Sequence, residues 1–265
     1  MSREQITRRR FLTVPLAALF APVASVCAET HPRREAYSAE VGLLYDLITL
    51  RADGTIYESV DSSARTYDIS VIGTGTNVAN RIESRGRLID GRWAPVKTAA
   101  WFQVRGRQAR SEINYDYVTK KIKYQFRGET FFLRRVRMVD DVINIPPDIQ
   151  VDDALSAILN YSENRWEASA NGQLSTYFVR RRRKDDEGVD DVEPNARAEL
   201  IQFHLAVHPD PATRKLTAYF DMRPFSSWAV DRNPARIVFT ADRRPELITS
   251  SLILGTSVTI RLRKT

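Results

Sequence analysis

The sequence has one cysteine, Cys27, and three histidines in 265 residues. A single thiol excludes a disulfide scaffold and any multi-cysteine zinc or iron–sulfur centre. Three imidazoles leave little material for a histidine-rich metal site. There is no glycine-rich phosphate loop, no internal repeat, no coiled-coil heptad and no Gly-x-Ser-x-Gly elbow. What is present is a core. The chain is 43% hydrophobic and 9% aromatic, which excludes intrinsic disorder and collagen-like fibres. Its length allows one or two domains, and all-β folds of this size are often one.

The first thirty residues read as an address. Thr7-Arg8-Arg9-Arg10-Phe11-Leu12-Thr13 resembles the twin-arginine export motif, a paired arginine ahead of a Phe-Leu step. The run from Phe11 to Ala28 is uncharged, carries Pro15 and Pro22, and ends Val26-Cys27-Ala28 before Glu29. Small residues at the −3 and −1 positions fit signal peptidase, so cleavage after Ala28 is expected. The two prolines argue against a retained membrane span. Lipidation at Cys27 would need a branched residue at position 24 and a small one at 26; Ala24 and Val26 are the reverse. Residues 1–28 are therefore expected to be a signal peptide and 29–265 a single β-rich exported domain, periplasmic and free of cysteine. Cleavage removes Arg3, Arg8, Arg9, Arg10 and Glu4, which lowers the net charge from +7 to +4. That residual charge suits solubility and mild attraction to anionic envelope polymers, with peripheral membrane contact, and no nucleic-acid partner is expected.

The body alternates with period two. Ile113, Tyr115 and Tyr117 alternate with Glu112, Asn114 and Asp116, and Ile122, Tyr124 and Phe126 with Lys121, Lys123 and Gln125; both are half-buried strands. Asp90-Gly91 reads as a hairpin turn between Ser84–Ile89 and Trp93–Val104. Arg127-Gly128-Glu129 reads as a second turn, and Val41–Leu50 as a central strand. Later strands are expected at Leu174–Arg183, Glu199–His208, Lys215–Asp221, Arg236–Asp242 and Leu252–Arg263. Asp185–Ala198 reads as a polar loop.

One helix interrupts the strands. Asp152 and Asp153 open it, with acidic groups suited to a helix N-terminus. Leu155, Ile158, Leu159, Ser162 and Trp166 then form one stripe. Leu155, Ile158, Leu159 and Trp166 are expected to be the inner face of a lid helix.

Chemistry-bearing patterns are sparse. His204 and His208 share one strand face but lie roughly 13 Å apart at about 3.3 Å per residue, too far for one metal ion, so they read as surface histidines and no metal site is expected. The carboxylate pairs Asp140-Asp141, Asp152-Asp153, Asp185-Asp186 and Asp190-Asp191 are adjacent in sequence. A glycosidase needs two carboxylates opposed across a sugar ring. The basic run Arg180–Lys184 is followed by Asp185-Asp186-Glu187, so the two neutralise each other. Trp93, Trp101, Trp166 and Trp228 read either as core or as the lining of a ligand cleft. No catalytic residue and no cofactor is assigned.

Three segments together resemble a proteobacterial exported family, domain-of-unknown-function family 3108. They are Glu83-Ser84-Arg85-Gly86 with Asp90-Gly91-Arg92-Trp93-Ala94-Pro95, the stretch from Ile145-Pro146-Pro147 to Asp153-Ala154-Leu155-Ser156-Ala157, and the C-terminal strands Arg236–Asp242 and Leu252–Leu262. The resemblance spans about residues 39–262 and rests on structural rather than catalytic motifs. That family is similar in turn to the periplasmic lipoprotein carriers, which implies a curved, partly open antiparallel sheet, a half-barrel, with a helix over its concave face. The expected function is that of a non-enzymatic envelope protein holding a lipid-like or apolar ligand on the sheet. The alternative is a structural or protein-interaction module, and a carboxylate-dependent hydrolase comes third. The expected partners are the twin-arginine export machinery and the apolar ligand.

Overall fold

The structure is a computed structural model that describes residues 30–264, except 44, 46–47, 167, 169–172, 185–186, 227–228, 230–232 and 253–254. The export motif with Arg8, Arg9, Phe11 and Leu12, the cleavage position Ala28, Cys27, Trp228 and the pair Asp185-Asp186 lie outside the described residues. The first strands are β1 (Thr30–Leu43), β2 (Ile48–Asp61), β3 (Thr66–Gly75), β4 (Val78–Ile89), β5 (Arg92–Val104), β6 (Arg107–Asp116), β7 (Lys121–Glu129) and β8 (Val136–Asn144). Helix α1 (Ala154–Ser162) follows. The chain ends with β9 (Leu174–Arg181), β10 (Ala198–Pro209), β11 (Leu216–Phe220), β12 (Ala235–Phe239), β13 (Pro245–Leu252) and β14 (Thr256–Lys264).

All fourteen strands form one antiparallel sheet, in the order β8-β7-β6-β5-β4-β3-β2-β1-β14-β13-β12-β11-β10-β9. Two chain-contiguous meanders, β1–β8 and β9–β14, are thus sewn together where β1 pairs with β14, for example Tyr37 opposite Leu262. The two edge strands, β8 and β9, are consecutive in the chain and are joined through α1. A sheet this large curls as its strands twist, and here it curls until its edges meet.

The seam is closed by side chains rather than a ladder. Asp141 on β8 accepts from the Arg197 guanidinium at 2.8 Å and from the Ala198 amide at 2.9 Å. The free edge of β9 pairs with the segment leading into α1: the Asp152 amide donates to the Tyr177 carbonyl and the Tyr177 amide to the Gln150 carbonyl, both at 2.9 Å. Beneath the seam, Ile113, Tyr115, Ile122, Tyr124 and Val139 from β6–β8 pack with Val151, Ala196 and Ala198. Both edges are covered, which removes the exposed pairing groups that drive edge-to-edge association. The fold is, as expected, mainly β, a curved antiparallel sheet with one helix, and the sheet is nearly closed and barrel-like.

Several local expectations change. The Asp90-Gly91 turn is present with both residues at positive φ, 48° and 81°, the geometry that selects glycine in a two-residue hairpin. Gly128 lies within β7, where it pairs with Ala109, and is not a turn. Val41–Leu50 contains the β1–β2 turn at Tyr45 rather than one central strand; its mostly apolar character, with Asp46 the one charged residue, hides the reversal. The C-terminal reading Leu252–Arg263 conceals a hairpin: Pro245–Leu252 is β13, and β14 begins at Thr256. Helix α1 ends at Ser162, so Trp166 lies beyond it rather than on its stripe. Asp153 is the N-cap, while Asp152 lies one residue outside the helix.

Candidate functional site

Helix α1 lies within the concavity and has two unlike sides. On one side Leu159, fully buried, packs with Val60, Tyr67, Ile69 and Trp93 from β2, β3 and β5, and Leu155 joins them half-buried. On the other side Ala157 and Tyr161, followed by Trp166, pack with Leu174, Leu205, Ala218 and Phe239 from β9–β12. Between these two apolar contacts runs a buried polar hub.

The hub is centred on the two aspartates before the helix. Asp153 completes a capping box: its carboxylate accepts from the amides of Leu155 at 2.9 Å and Ser156 at 2.8 Å, while its own amide donates to Ser156 Oγ at 3.0 Å. These satisfy donors that a helix start leaves free. Its second oxygen accepts from Ser84 Oγ and Thr98 Oγ1 on the opposing sheet, both at 2.5 Å. Since Ser84 spends its proton on Asp153, the Tyr67 hydroxyl 2.9 Å away donates to Ser84. Gly86 makes this reach possible, because a Cβ there would stand 2.3 Å from the Tyr67 ring.

Asp152, 1% exposed, receives five donors from four segments. Ser156 Oγ at 3.1 Å and Asn160 Nδ2 at 2.9 Å come from the helix. Trp166 Nε1 at 3.1 Å follows the helix, Thr176 Oγ1 at 2.6 Å comes from β9, and the Arg92 guanidinium from β5 forms an ion pair. Asn160 also grips the Trp93 backbone at both its amide (2.8 Å) and its carbonyl (2.9 Å). The hub therefore ties α1 to β4, β5 and β9 at once.

Burial sets the electrostatics. Desolvation pushes the Asp153 carboxyl above the usual carboxylate range, assisted by the neighbouring Asp152 and opposed by the hydrogen bonds from Ser156, Ser84 and Thr98. Tyr67 is pushed far above the usual phenol range, first by burial and then by Asp153. The oxygens of both carboxylates are engaged by donors among the described residues. Helix capping accounts for Asp153 but not for Asp152, whose partners Arg92 and Thr176 are 60 and 24 residues away.

The open space is on the other side of the helix. A cavity of about 340 Å³ lies between α1 and β9–β13, lined by Ile158, Tyr161, Trp166, Phe178, Phe203 and Phe239 with other apolar neighbours. Its volume is at the lower end of the range for small-molecule sites, about 300–1,000 Å³. An aromatic array forms its wall: Phe178 stands edge-on to Phe203 at 5.1 Å and to Phe225 at 5.8 Å, and Phe203 to Phe220 at 5.4 Å. Tyr161 sits 4.7 Å from Phe239, and its buried hydroxyl has no hydrogen-bond partner among the described residues.

The four helix-stripe residues are thus divided. Ile158 and Trp166 line the cavity, whereas Leu155 and Leu159 face the packed side. Trp93 is core, and Trp101 lines a separate depression on the outer face of the sheet. His204 and His208 are exposed on the outer face of β10. The missed lining residues are Tyr161, Phe178, Phe203 and Phe225. Alternation along β9 and β10 marks Phe178 and Phe203 as inward, but nothing in the sequence says which inward strands face a filled interior and which an empty one.

No family model matches the chain, and no curated protein matches it. A solved structure similar to it is a β-barrel-like protein of domain-of-unknown-function family DUF1849 from Brucella abortus, at 9% identity over 88% of this chain and 98% of that one, with a TM-score of 0.41.

Proposed function

We propose that this chain is an exported, periplasmic envelope protein that holds a lipid-like or apolar ligand inside its barrel and performs no covalent chemistry. The observation that carries the reading is the cavity beside α1, which is walled by aromatic and aliphatic groups in a region where neighbouring strands are close-packed. The cleft is half-open, and clefts of this size lined mainly by apolar and aromatic groups are the usual form of small-molecule sites. The non-enzymatic part is supported by the carboxylates of the hub, which are all engaged in holding the helix. Export by the twin-arginine route rests on Arg8, Arg9, Phe11 and Leu12, with cleavage after Ala28. A relation to family 3108 rests on the resemblance of the motifs around Ser84, Pro146 and Ile260 alone.

The test is native mass spectrometry of protein from a lipid-containing host, together with titration of the neutral fluorescent probe N-phenylnaphthylamine. Co-purified apolar mass or saturable probe binding is expected, and Ile158→Trp should reduce it. An apo mass with no saturable binding would overturn the reading in favour of a structural module.

A further inference from the structure

A second cavity, of about 390 Å³, opens off the same interior and is cationic. Arg107, Arg137, Arg180, Arg181 and Arg183 line it, with Glu129 as the acidic lining group. Three of these arginines converge on one carboxylate: Glu187 pairs with Arg181, with Arg137 at 3.4 Å and with Arg183 at 3.7 Å. Among the described residues Glu187 is shared by three guanidinium groups, Asp190 and Asp191 also act on Arg137, Arg180 pairs with Glu199 and Glu129 with Arg134. Burial holds Arg137 and Arg183 below the usual guanidinium range, and the neighbouring cations add to it. The Nε atoms of Arg183 and Arg107 are buried without a hydrogen-bond partner among the described residues. Within the basic run Arg180–Lys184, Arg181 and Arg183 share Glu187, while Arg180 and Arg182 share Glu199.

The cationic and apolar cavities adjoin. Phe225 lines both. Phe178 and Arg180, two apart on one face of β9, line the apolar and the cationic cavity respectively, a separation of about 6–7 Å along a strand. The segment carrying Phe225 is held between them by Arg180 and Arg183, whose guanidinium groups donate to the carbonyls of Pro224 and Arg223.

We propose that the two cavities are one site for an anionic single-chain amphiphile. Its carboxylate or phosphate sits among Arg137, Arg181 and Arg183, and its chain passes Phe225 to lie against Phe178 and Phe203. The inference deepens the apolar-ligand reading and rests on it. Planar guanidinium groups match carboxylate and phosphate oxygens two at a time, and the flanking aromatic surface takes the chain.

The experiment is competitive displacement of bound N-phenylnaphthylamine by dodecanoate, dodecyl phosphate and dodecanol. The anionic compounds should displace the probe at concentrations about tenfold lower than the alcohol, the worth of one charge-assisted hydrogen bond. Arg137→Gln should abolish most of that preference without changing displacement by dodecanol, and Arg137→Lys should keep part of it. If Arg137→Gln does not fold, Arg181→Gln serves in its place. The ratio of dodecanoate to dodecyl phosphate tells whether a fatty acid or a lysolipid-type phosphate is preferred. Equal displacement by alcohol and anions, with the probe binding, would overturn this inference and leave the apolar-ligand reading standing. A preference that survives both arginine-to-glutamine changes would overturn it too. Failure of the probe to bind at all would overturn the apolar-ligand reading, and this inference with it.

Discussion

The two sides of α1 solve opposite problems. Toward β2–β5 the helix is locked by Leu159, and at its N-terminus by a hub that also reaches β9 and in which every carboxylate oxygen has donors. Toward β9–β13 it borders a space that its own side chains do not fill. The difference teaches how a helix can border a cavity without collapsing into it. Leu159 on one side and directional hydrogen bonds at the N-terminus fix its position, so the other side need not be completely filled to hold it. If this is right, substitutions on the two sides should separate sharply.

The largest effect is expected at the hub. Asp152→Ala leaves the Arg92 guanidinium buried without its anion, along with four further donors. Breaking a buried pair by removing one partner costs about 3–5 kcal/mol. Chemical denaturation should show a loss of that order, and wild-type stability in the variant would mean that the hub does not anchor the helix.

Next comes a matched pair of neighbours. Leu159→Ala empties a fully buried position and should cost about 2–5 kcal/mol. Ile158→Ala, half-buried beside an existing cavity, should cost clearly less, because little packing is lost there. Thermal melts of the two variants test the comparison directly. Equal losses would show that the two sides are equally packed.

These neighbours also show what the sequence could and could not reveal. The period-two strands, the Asp90-Gly91 hairpin and the existence of α1 are legible because they depend on local alternation, turn chemistry and capping. Ile158 and Leu159 fall on one stripe in a helical projection, yet they serve different sides, because the helix is enclosed by a sheet that curls around it. The buried polar residues Ser156 and Asn160 lie between those sides, where a simple amphipathic reading has no place for them. Asp152 looked like a second capping residue, since its partners reach it only through tertiary contacts. The β13–β14 hairpin was hidden because Ser251–Ser257 carries no strong turn pair beyond Gly255. Closure of the sheet depends on Asp141 meeting Arg197 and Ala198 across more than fifty residues, which no local pattern encodes.

A smaller effect concerns pH. The Asp153 carboxyl titrates above its ordinary value in the fold, so the native state binds its proton before the unfolded chain does. Its contribution to stability is therefore fully present below the ordinary carboxylate range and is lost as pH rises through the raised folded value. Asp153→Asn removes this dependence. The stability of wild type relative to Asp153→Asn should accordingly increase as pH falls from neutral toward the ordinary carboxylate range. Paired urea titrations across that interval check the slope. A difference that shrinks on acidification would mean that the hydrogen bonds from Ser84, Thr98 and the Ser156 amide outweigh burial.

The smallest stability change, and the most informative for function, is expected from filling the cavity. Ile158→Phe adds apolar volume where the interior already has about 340 Å³ to receive it. In a well-packed core such a substitution costs about 1–3 kcal/mol through forced rotamers and backbone shifts. Beside this cavity the added ring displaces no neighbour, so the melting temperature should stay close to that of wild type. The mirror substitution Leu159→Phe adds volume against Trp93 and Tyr67, where no space exists, and should show the full overpacking penalty. Binding of N-phenylnaphthylamine gives the second readout. Ile158→Phe should lower it at unchanged stability, whereas Leu159→Phe should lower stability first. If Ile158→Phe destabilises the protein as much as Leu159→Phe does, the space beside the helix is already occupied by the protein's own side chains in solution, and the contrast between the two sides disappears.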